Sequence, residues 1–117
     1  MKVQFKNWSC YTKAERYQLN GRLCIILLDT EDHQQVAIAT VNLPEYRLKE
    51  EGIILNDDQI FVKDYSENEG MTKALIDAGV IEQTPICCVK TGYVEVSTYR
   101  LTEQAIKEFV KPNEHLT

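Results

Sequence analysis

Residues 60–78 read IFVKDYSENEGMTKALIDA, and this stretch decides the fold class. Its first three residues, Ile60-Phe61-Val62, are apolar and favour a β-strand. Residues 71–78 then place apolar side chains at helical spacing, namely Met71, Ala74, Leu75 and Ala78. A short strand followed at once by an amphipathic helix predicts an α+β domain.

The polar run at residues 63–70 separates this strand from the helix. Ser66 and Glu69 have the spacing of a capping box, in which the serine oxygen accepts from the Glu69 amide and the carboxylate accepts from the Ser66 amide. Gly79 follows the periodic residues, where a left-handed residue commonly ends a helix. We therefore expect Ser66, Glu69 and Gly79 to be structural caps.

The rest of the chain adds strands, turns and a second helix. Strands are predicted at residues 3–11, 22–29, 36–41, 60–63, 85–90 and 93–100, and residues 17–19 either extend the first strand or follow it. Asn20-Gly21 and Thr91-Gly92 are turn signals. Thr102 is a candidate N-cap, with Leu101 and Ile106 positioned as a hydrophobic staple, and Pro112 ends that helix.

These elements predict one α+β domain over residues 1–117. Its core is a largely antiparallel, twisted sheet of about five to six strands with two helices packed on it. Residues 45–51 predict either one helical turn or an irregular loop before Gly52, and residues 112–117 predict a loose tail. A chain of 117 residues is long enough for a single hydrophobic core.

The composition predicts an ordinary globular protein, with 44% apolar and 26% charged residues. The longest apolar run, residues 23–28, is far shorter than the roughly 20 residues that a transmembrane helix needs. Residues 1–8 alternate polar and apolar side chains, unlike a secretory leader. We expect a cytoplasmic protein with no membrane partner.

Four cysteines and two histidines are the candidate metal or redox residues. No two of the cysteines Cys10, Cys24, Cys87 and Cys88 form a Cys-x-x-Cys pair. His33 falls in a predicted turn and His115 in the predicted tail. Cysteines in apolar runs behave as small hydrophobes. The pattern predicts reduced, buried thiols and no disulfide, metal or cofactor.

Catalytic signals are absent from the sequence motifs. There is no glycine-rich phosphate loop, no Gly-x-Ser-x-Gly and no His-Glu-x-x-His, so we expect no enzyme. One alternative stays open, in which Asp64, Glu67 and Glu69 act as metal ligands or general acid–base groups of a small metal-dependent enzyme. The capping role of Glu69 and the place of Glu67 in the first helical turn favour a structural interpretation.

The charge distribution indicates the kind of partner. The net charge is −5, and residues 50–69 hold seven acidic side chains with Lys63 as the one base. Such a field repels nucleic-acid phosphates and attracts basic surfaces. We predict no direct nucleic-acid binding, and a protein-binding surface formed by Asp57, Asp58, Asp64, Tyr65, Glu67 and Asn68. A merely solvated acidic face is the alternative.

Several segments resemble a known family. The chain is similar to small proteins of unknown function carried by conjugative elements, plasmids and phages. The similar segments are Trp8, Asn20-Gly21-Arg22-Leu23, Thr40-Val41-Asn42-Leu43-Pro44 and residues 63–70 (KDYSENEG). The resemblance covers residues 8–100 and implies a mobile-element setting. Small acidic proteins from such elements often inhibit host defences, and some are anti-CRISPR proteins.

The resemblance therefore implies an inhibitor or modulator of a host defence nuclease, with a Cas9-type effector as the expected partner. An accessory partner of the element's own transfer or replication machinery is the remaining alternative. Whether the protein is a monomer or a homodimer is left open, because edge strands can pair between chains.

Overall fold

The computed structural model describes residues 1–110, so the predicted tail at residues 112–117 lies outside the described part. The elements follow in the order β1 (Lys2–Phe5), β2 (Trp8–Arg16), β3 (Leu23–Asp29), β4 (Gln35–Ile38), α1 (Glu45–Glu51), β5 (Gln59–Val62), α2 (Met71–Asp77), β6 (Cys87–Thr91), β7 (Val94–Arg100) and α3 (Glu103–Phe109). A short 3₁₀ turn, Ser66–Asn68, precedes α2. The predicted α+β class is confirmed, and every ladder is antiparallel within residues 1–110.

The strands divide into two sheets rather than one, with seven strands in the described residues. The first sheet has the order β1-β2-β3-β4 and the second β5-β7-β6. A single bridge between Thr40 and Val62 joins them. It is flanked by hydrogen bonds from Val41 N to the Phe61 carbonyl (3.2 Å) and from Lys63 N to the Ala39 carbonyl (2.9 Å). The bridge lies beyond the end of β4 at Ile38, so β4 itself does not pair with β5.

Two clusters of apolar side chains form the interior. The larger lies between the first sheet and helices α2 and α3, with Ile25, Leu27, Met71, Leu75 and Leu101 all fully buried. The smaller consists of Leu43, Leu48, Phe61, Val89 and Val96. The sheet β5-β7-β6 contributes to both clusters and so connects them.

The segment that the sequence left as either a helix or a loop is a helix, α1. Leu48 is its buried residue and anchors it to the smaller cluster. Gly52 ends it in the left-handed conformation, with φ of 69°, which a residue without a Cβ adopts at little cost. Burial of one apolar side chain, more than helix propensity, thus fixes this short helix.

The predicted caps at Gly79 and Thr102 are confirmed, and they join α2 to α3. Gly79 has φ of 75°, and the Val80 amide donates to the Leu75 carbonyl as in a Schellman motif. The Thr102 hydroxyl accepts from the Ala105 amide (3.2 Å) and donates to the Gly79 carbonyl (2.6 Å). One side chain therefore satisfies a donor of α3 and an acceptor at the end of α2.

Candidate functional site

Asp64 organises the polar run before α2. One of its carboxylate oxygens accepts from the Gly70 amide (2.8 Å) and the other from the Thr72 amide (2.9 Å). These amides belong to the start of α2, whose first N–H groups lack partners within the helix. Asp64 is therefore an architectural residue that caps α2 from six residues upstream.

The predicted capping box of Ser66 and Glu69 is wrong. Gly70 is the residue that flanks α2, with φ of 97°, and no side chain of the capping-box type bonds there. Ser66 has φ of 54° and begins the 3₁₀ turn, which lifts it out of the N-cap position. The Glu69 amide donates to the Ser66 backbone carbonyl (3.2 Å) instead of to its side chain.

The environment of Asp64 stabilises its charged form. Partial burial raises the pKa of the carboxyl, but hydrogen bonds from the Thr72 side chain and from the Gly70 and Thr72 amides outweigh it. The pKa of Asp64 therefore lies below its ordinary value. An anion near the first turn of a helix is also favoured by the helix dipole.

Asn68 is not a surface residue, which corrects its place among the predicted partner-binding residues. It is 1% exposed, and its side-chain amide donates to the Ile38 carbonyl at 2.6 Å. Ile38 is the last residue of β4, so this bond ties the polar run to the first sheet. A buried amide must be satisfied in this way, because an unpaired one is costly.

Tyr65 and Glu67 lie among lysines. Glu67 pairs with Lys63 at 2.6 Å, and its backbone carbonyl accepts from Lys6 at 2.9 Å. Hydrogen bonding to Lys63 lowers the pKa of Glu67 and raises that of Lys63. The Lys63 ammonium also lies 5.6 Å from the centre of the Tyr65 ring, and Tyr65 is half-buried. Local cations therefore offset the negative charge expected here.

The carboxylates proposed as a metal site do not converge. Asp64 is occupied by two backbone amides and Glu67 by a lysine, which leaves Glu69 as the third member. Across residues 1–110, no three His, Cys, Asp or Glu side chains are arranged to hold a metal ion.

A different acidic cluster lies at the other end of β5, centred on Arg100. Its guanidinium bonds Asp58 through Nε (3.0 Å), Glu82 through Nη1 (2.9 Å) and Glu103 through Nη2 (3.4 Å). We call these four residues the Arg100 cluster. With three carboxylates and one guanidinium, the cluster carries an excess of two negative charges. Hydrogen bonds to Glu103, Asp58 and Glu82 raise the pKa of Arg100 above its ordinary value.

The carboxylates of the Arg100 cluster are accessible. Their side chains are 33%, 48% and 69% exposed for Asp58, Glu82 and Glu103. Asp57, the neighbour of Asp58, is also exposed. The sequence analysis assigned Asp57 and Asp58 to a binding surface but missed Glu82, which only the fold brings to Arg100, and Glu103, which lies three residues after Arg100 in the sequence.

The acidic residues of the segment 50–69 are thus distributed over separate places. Asp58 and Asp64 flank β5 at opposite ends, roughly 20 Å apart at the rise of an extended strand. Glu50 and Glu51 lie near Arg47 on α1. The six predicted binding residues therefore do not form one continuous surface, and Asp57 and Asp58 lie apart from the other four.

The four thiols are free, but not all are buried. Cys10 and Cys24 are buried, Cys87 is half-buried, and Cys88 is exposed, which corrects the expectation for Cys87 and Cys88. The apolar run containing them forms β6, an outer strand whose side chains alternate between the core and the surface. Burial, followed by the charge of Asp29, raises the pKa of the Cys10 thiol.

The helices α1, α2 and α3 have seven residues each, and none in the described part of the chain has the length and apolar character needed to span a bilayer. No protein-family model, curated protein or solved structure matches this chain.

Proposed function

We propose that the protein acts by binding a positively charged protein through the Arg100 cluster and the adjacent Asp57. The observation that supports this is the single guanidinium that holds three carboxylates from three different segments of the chain. Their positions are fixed relative to one another, while their net charge stays negative. A fixed acidic surface of this kind is suited to a basic partner.

Preorganisation is the physical advantage of this arrangement. Long acidic side chains lose rotamer freedom when they are fixed on binding, at a cost of roughly 0.5–1.5 kcal/mol each. Bonding to Arg100 orders the side chains of Glu82 and Glu103 before the partner arrives. Each carboxylate has two oxygens and several acceptor sites, so it can bond Arg100 and a partner's arginine or lysine together.

The partner class follows from the mobile-element resemblance. A host defence nuclease of the Cas9 type carries guide and target in a positively charged channel and reads the adjacent duplex with arginines. An acidic surface can compete for such a channel, and its field speeds the encounter. The protein is then an inhibitor that needs no catalytic residue. A metal-dependent enzyme has less support, because Asp64 and Glu67 are engaged in structural contacts.

The test uses the purified chain and a Cas9-type effector loaded with its guide RNA. We expect the chain to bind the loaded effector and to slow cleavage of target DNA. The variant Asp57→Asn/Glu82→Gln/Glu103→Gln removes three charges at the proposed surface, and Glu15→Gln/Glu31→Gln/Glu69→Gln removes three exposed charges elsewhere.

The two variants separate the proposal from a general charge effect. The first should weaken equilibrium binding and inhibition strongly, whereas the second should leave both near the wild-type level. Absence of binding by the wild-type chain would reject this partner class. Equal weakening by both variants would reject the Arg100 cluster as the binding surface.

A further inference from the structure

We propose that the outer edge of β6 pairs with β6 of a second copy of this chain. The two strands run antiparallel about a two-fold axis that passes beside Val89. The proposal concerns a different surface from the Arg100 cluster and does not depend on the partner proposed above. It rests on the backbone groups at this edge and on the apolar side chains at its two ends.

On the side opposite β7, the strand β6 pairs with no other strand in the described part of the chain. It is the outer strand of the sheet β5-β7-β6, and residues 1–110 place no other strand beside it. Thr91 pairs with Val94 across the two-residue turn Gly92-Tyr93, with φ of 62° at Gly92. Such a turn makes Thr91, and then alternate residues, exchange hydrogen bonds with β7.

Cys88 and Lys90 consequently direct their amide and carbonyl groups away from β7. The Lys90 carbonyl accepts from the Arg47 guanidinium, as expected for a carbonyl that points away from β7. In the proposed pairing, Cys88 lies opposite Lys90 of the second copy. The two equivalent pairs then form four backbone hydrogen bonds. A carbonyl has two lone pairs, so Lys90 can accept from Arg47 and from the second copy together.

Exposed apolar side chains at the two ends of β6 support the same register. Ile86, which precedes the strand, is 49% exposed, and Tyr93, which follows it, is 107% exposed. The antiparallel two-fold arrangement brings the Tyr93 end of one strand beside the Ile86 end of the other. Tyr93 of each copy therefore covers Ile86 of the other copy, so the same apolar contact forms twice. A two-fold interface requires such self-complementarity.

Charge distinguishes this register from its neighbours. Lys90 lies across from Glu95 within its own hairpin and opposite an uncharged cysteine in the second copy. An axis at Lys90 would place two lysines directly opposite each other, which is destabilising. An axis at Cys88 would need the Ile86 amide, which already donates to the Thr98 carbonyl at 2.7 Å.

The outer strand β1 is a poorer candidate for the same pairing. In the first sheet β1 is the outer strand next to β2, and helix α2 packs beside it. The two elements line a common groove, with Lys2, Val3 and Gln4 from β1, Ala74 and Asp77 from α2, and Ala78 directly after α2. Covering an edge with a helix is one way in which proteins prevent strand pairing.

Sedimentation equilibrium over a range of concentrations tests the proposal. The 13.5 kDa chain should reach twice that mass as its concentration rises. Lys90→Pro should give a monomer that is still folded by circular dichroism, because the Lys90 amide points away from β7 and its loss leaves the hairpin bonds intact. Gln4→Pro removes the matching outward amide of β1 and should leave the dimer unchanged.

Cross-linking tests the register without relying on a proline. Lys90→Cys puts a thiol opposite Cys88 of the second copy, with Cα atoms about 5.5 Å apart, within the range for a disulfide. Mild oxidation should then yield a covalent dimer, and adding Cys88→Ser should abolish it. A wild-type chain that stays monomeric, or a Lys90→Pro chain that still dimerises, would overturn the proposal. Direct Cys88–Cys88 cross-linking in the wild type would overturn the register.

Discussion

Replacing Asp64 tests the most unexpected feature of the fold, the capping of α2 by a residue six positions upstream. Asp64→Ala removes two hydrogen bonds of 2.8 and 2.9 Å to a charged acceptor. N-cap losses of this kind cost about 0.5–2 kcal/mol, and bonds to charged groups lie at the upper end. We therefore expect the free energy of unfolding to fall by about 2 kcal/mol. Asp64→Asn keeps one acceptor oxygen and should lose about half as much.

The expected change is large enough for thermal unfolding to measure. For a chain of this length the unfolding entropy is about 250 cal/mol/K, so a loss of 2 kcal/mol lowers Tm by about 8 °C. The pKa of Asp64 is depressed, so its stabilisation is present above about pH 4 and disappears as the pH falls through the folded-state pKa. The gap in Tm between wild type and Asp64→Asn should therefore narrow below pH 4.

Ser66→Ala is the matched control, because it removes the residue that the sequence predicted as the cap. Circular dichroism melts should place it within about 0.5 kcal/mol of wild type, as for a surface substitution that removes no contact. A loss from Ser66→Ala as large as that from Asp64→Ala would refute the reasoning. So would an Asp64→Ala variant with an unchanged Tm.

Three further outcomes follow from the contacts. Gly79→Ala should lower the free energy of unfolding in urea by about 1 kcal/mol, because a Cβ disfavours the left-handed conformation at φ of 75°, and no loss would contradict that cap. Arg100→Gln should lower Tm at pH 7, because the carboxylates of Asp58, Glu82 and Glu103 then repel one another. The difference in Tm from the wild type should disappear below about pH 4, where these carboxylates are protonated. A loss of Tm that does not depend on pH would argue against the charge explanation. Burial raises the pKa of Tyr17 to about 12, outweighing its 2.9 Å hydrogen bond to Thr40, so the stability it contributes is present below pH 10 and is lost as the pH rises towards 12. Burial also raises the pKa of Tyr99, so spectrophotometric titration should find late ionisations from both tyrosines. Tyr17→Phe should remove the one near pH 12, and a titration curve unchanged in that variant would contradict the assignment.

Local sequence signals predicted the features that depend on local backbone geometry. Thr102 and Gly79 were recognised as caps because each acts within a few residues of its own helix end. Gly92 was placed in a hairpin turn for the same reason. The strand signals located β3 to β7 to within a few residues, since side chains alternate wherever one face is buried. They missed the turn at residues 6–7, which divides the single strand predicted at residues 3–11 into the paired strands β1 and β2.

Features that depend on distant contacts were not predictable in this way. The buried side chain of Asn68 donates a hydrogen bond to the carbonyl of Ile38, which lies thirty residues earlier in the chain. Arg100 meets Asp58 across a separation of 42 residues and Glu82 across 18. The division into two sheets also depends on which strand β5 selects, and it pairs with β7 rather than extending along β4. Pairing choices of this kind are settled by tertiary packing.

The proposed binding surface consists mainly of the Arg100 cluster, and the kinetics of association with the partner test it most directly. The rate constant for association with a guide-loaded Cas9-type effector should be measured at several salt concentrations, for the wild type and for Glu82→Gln/Glu103→Gln. We predict a wild-type rate that falls steeply as salt rises, and a slower rate with a shallower salt dependence in the variant. Identical rates and identical salt dependences for the two chains would contradict the account.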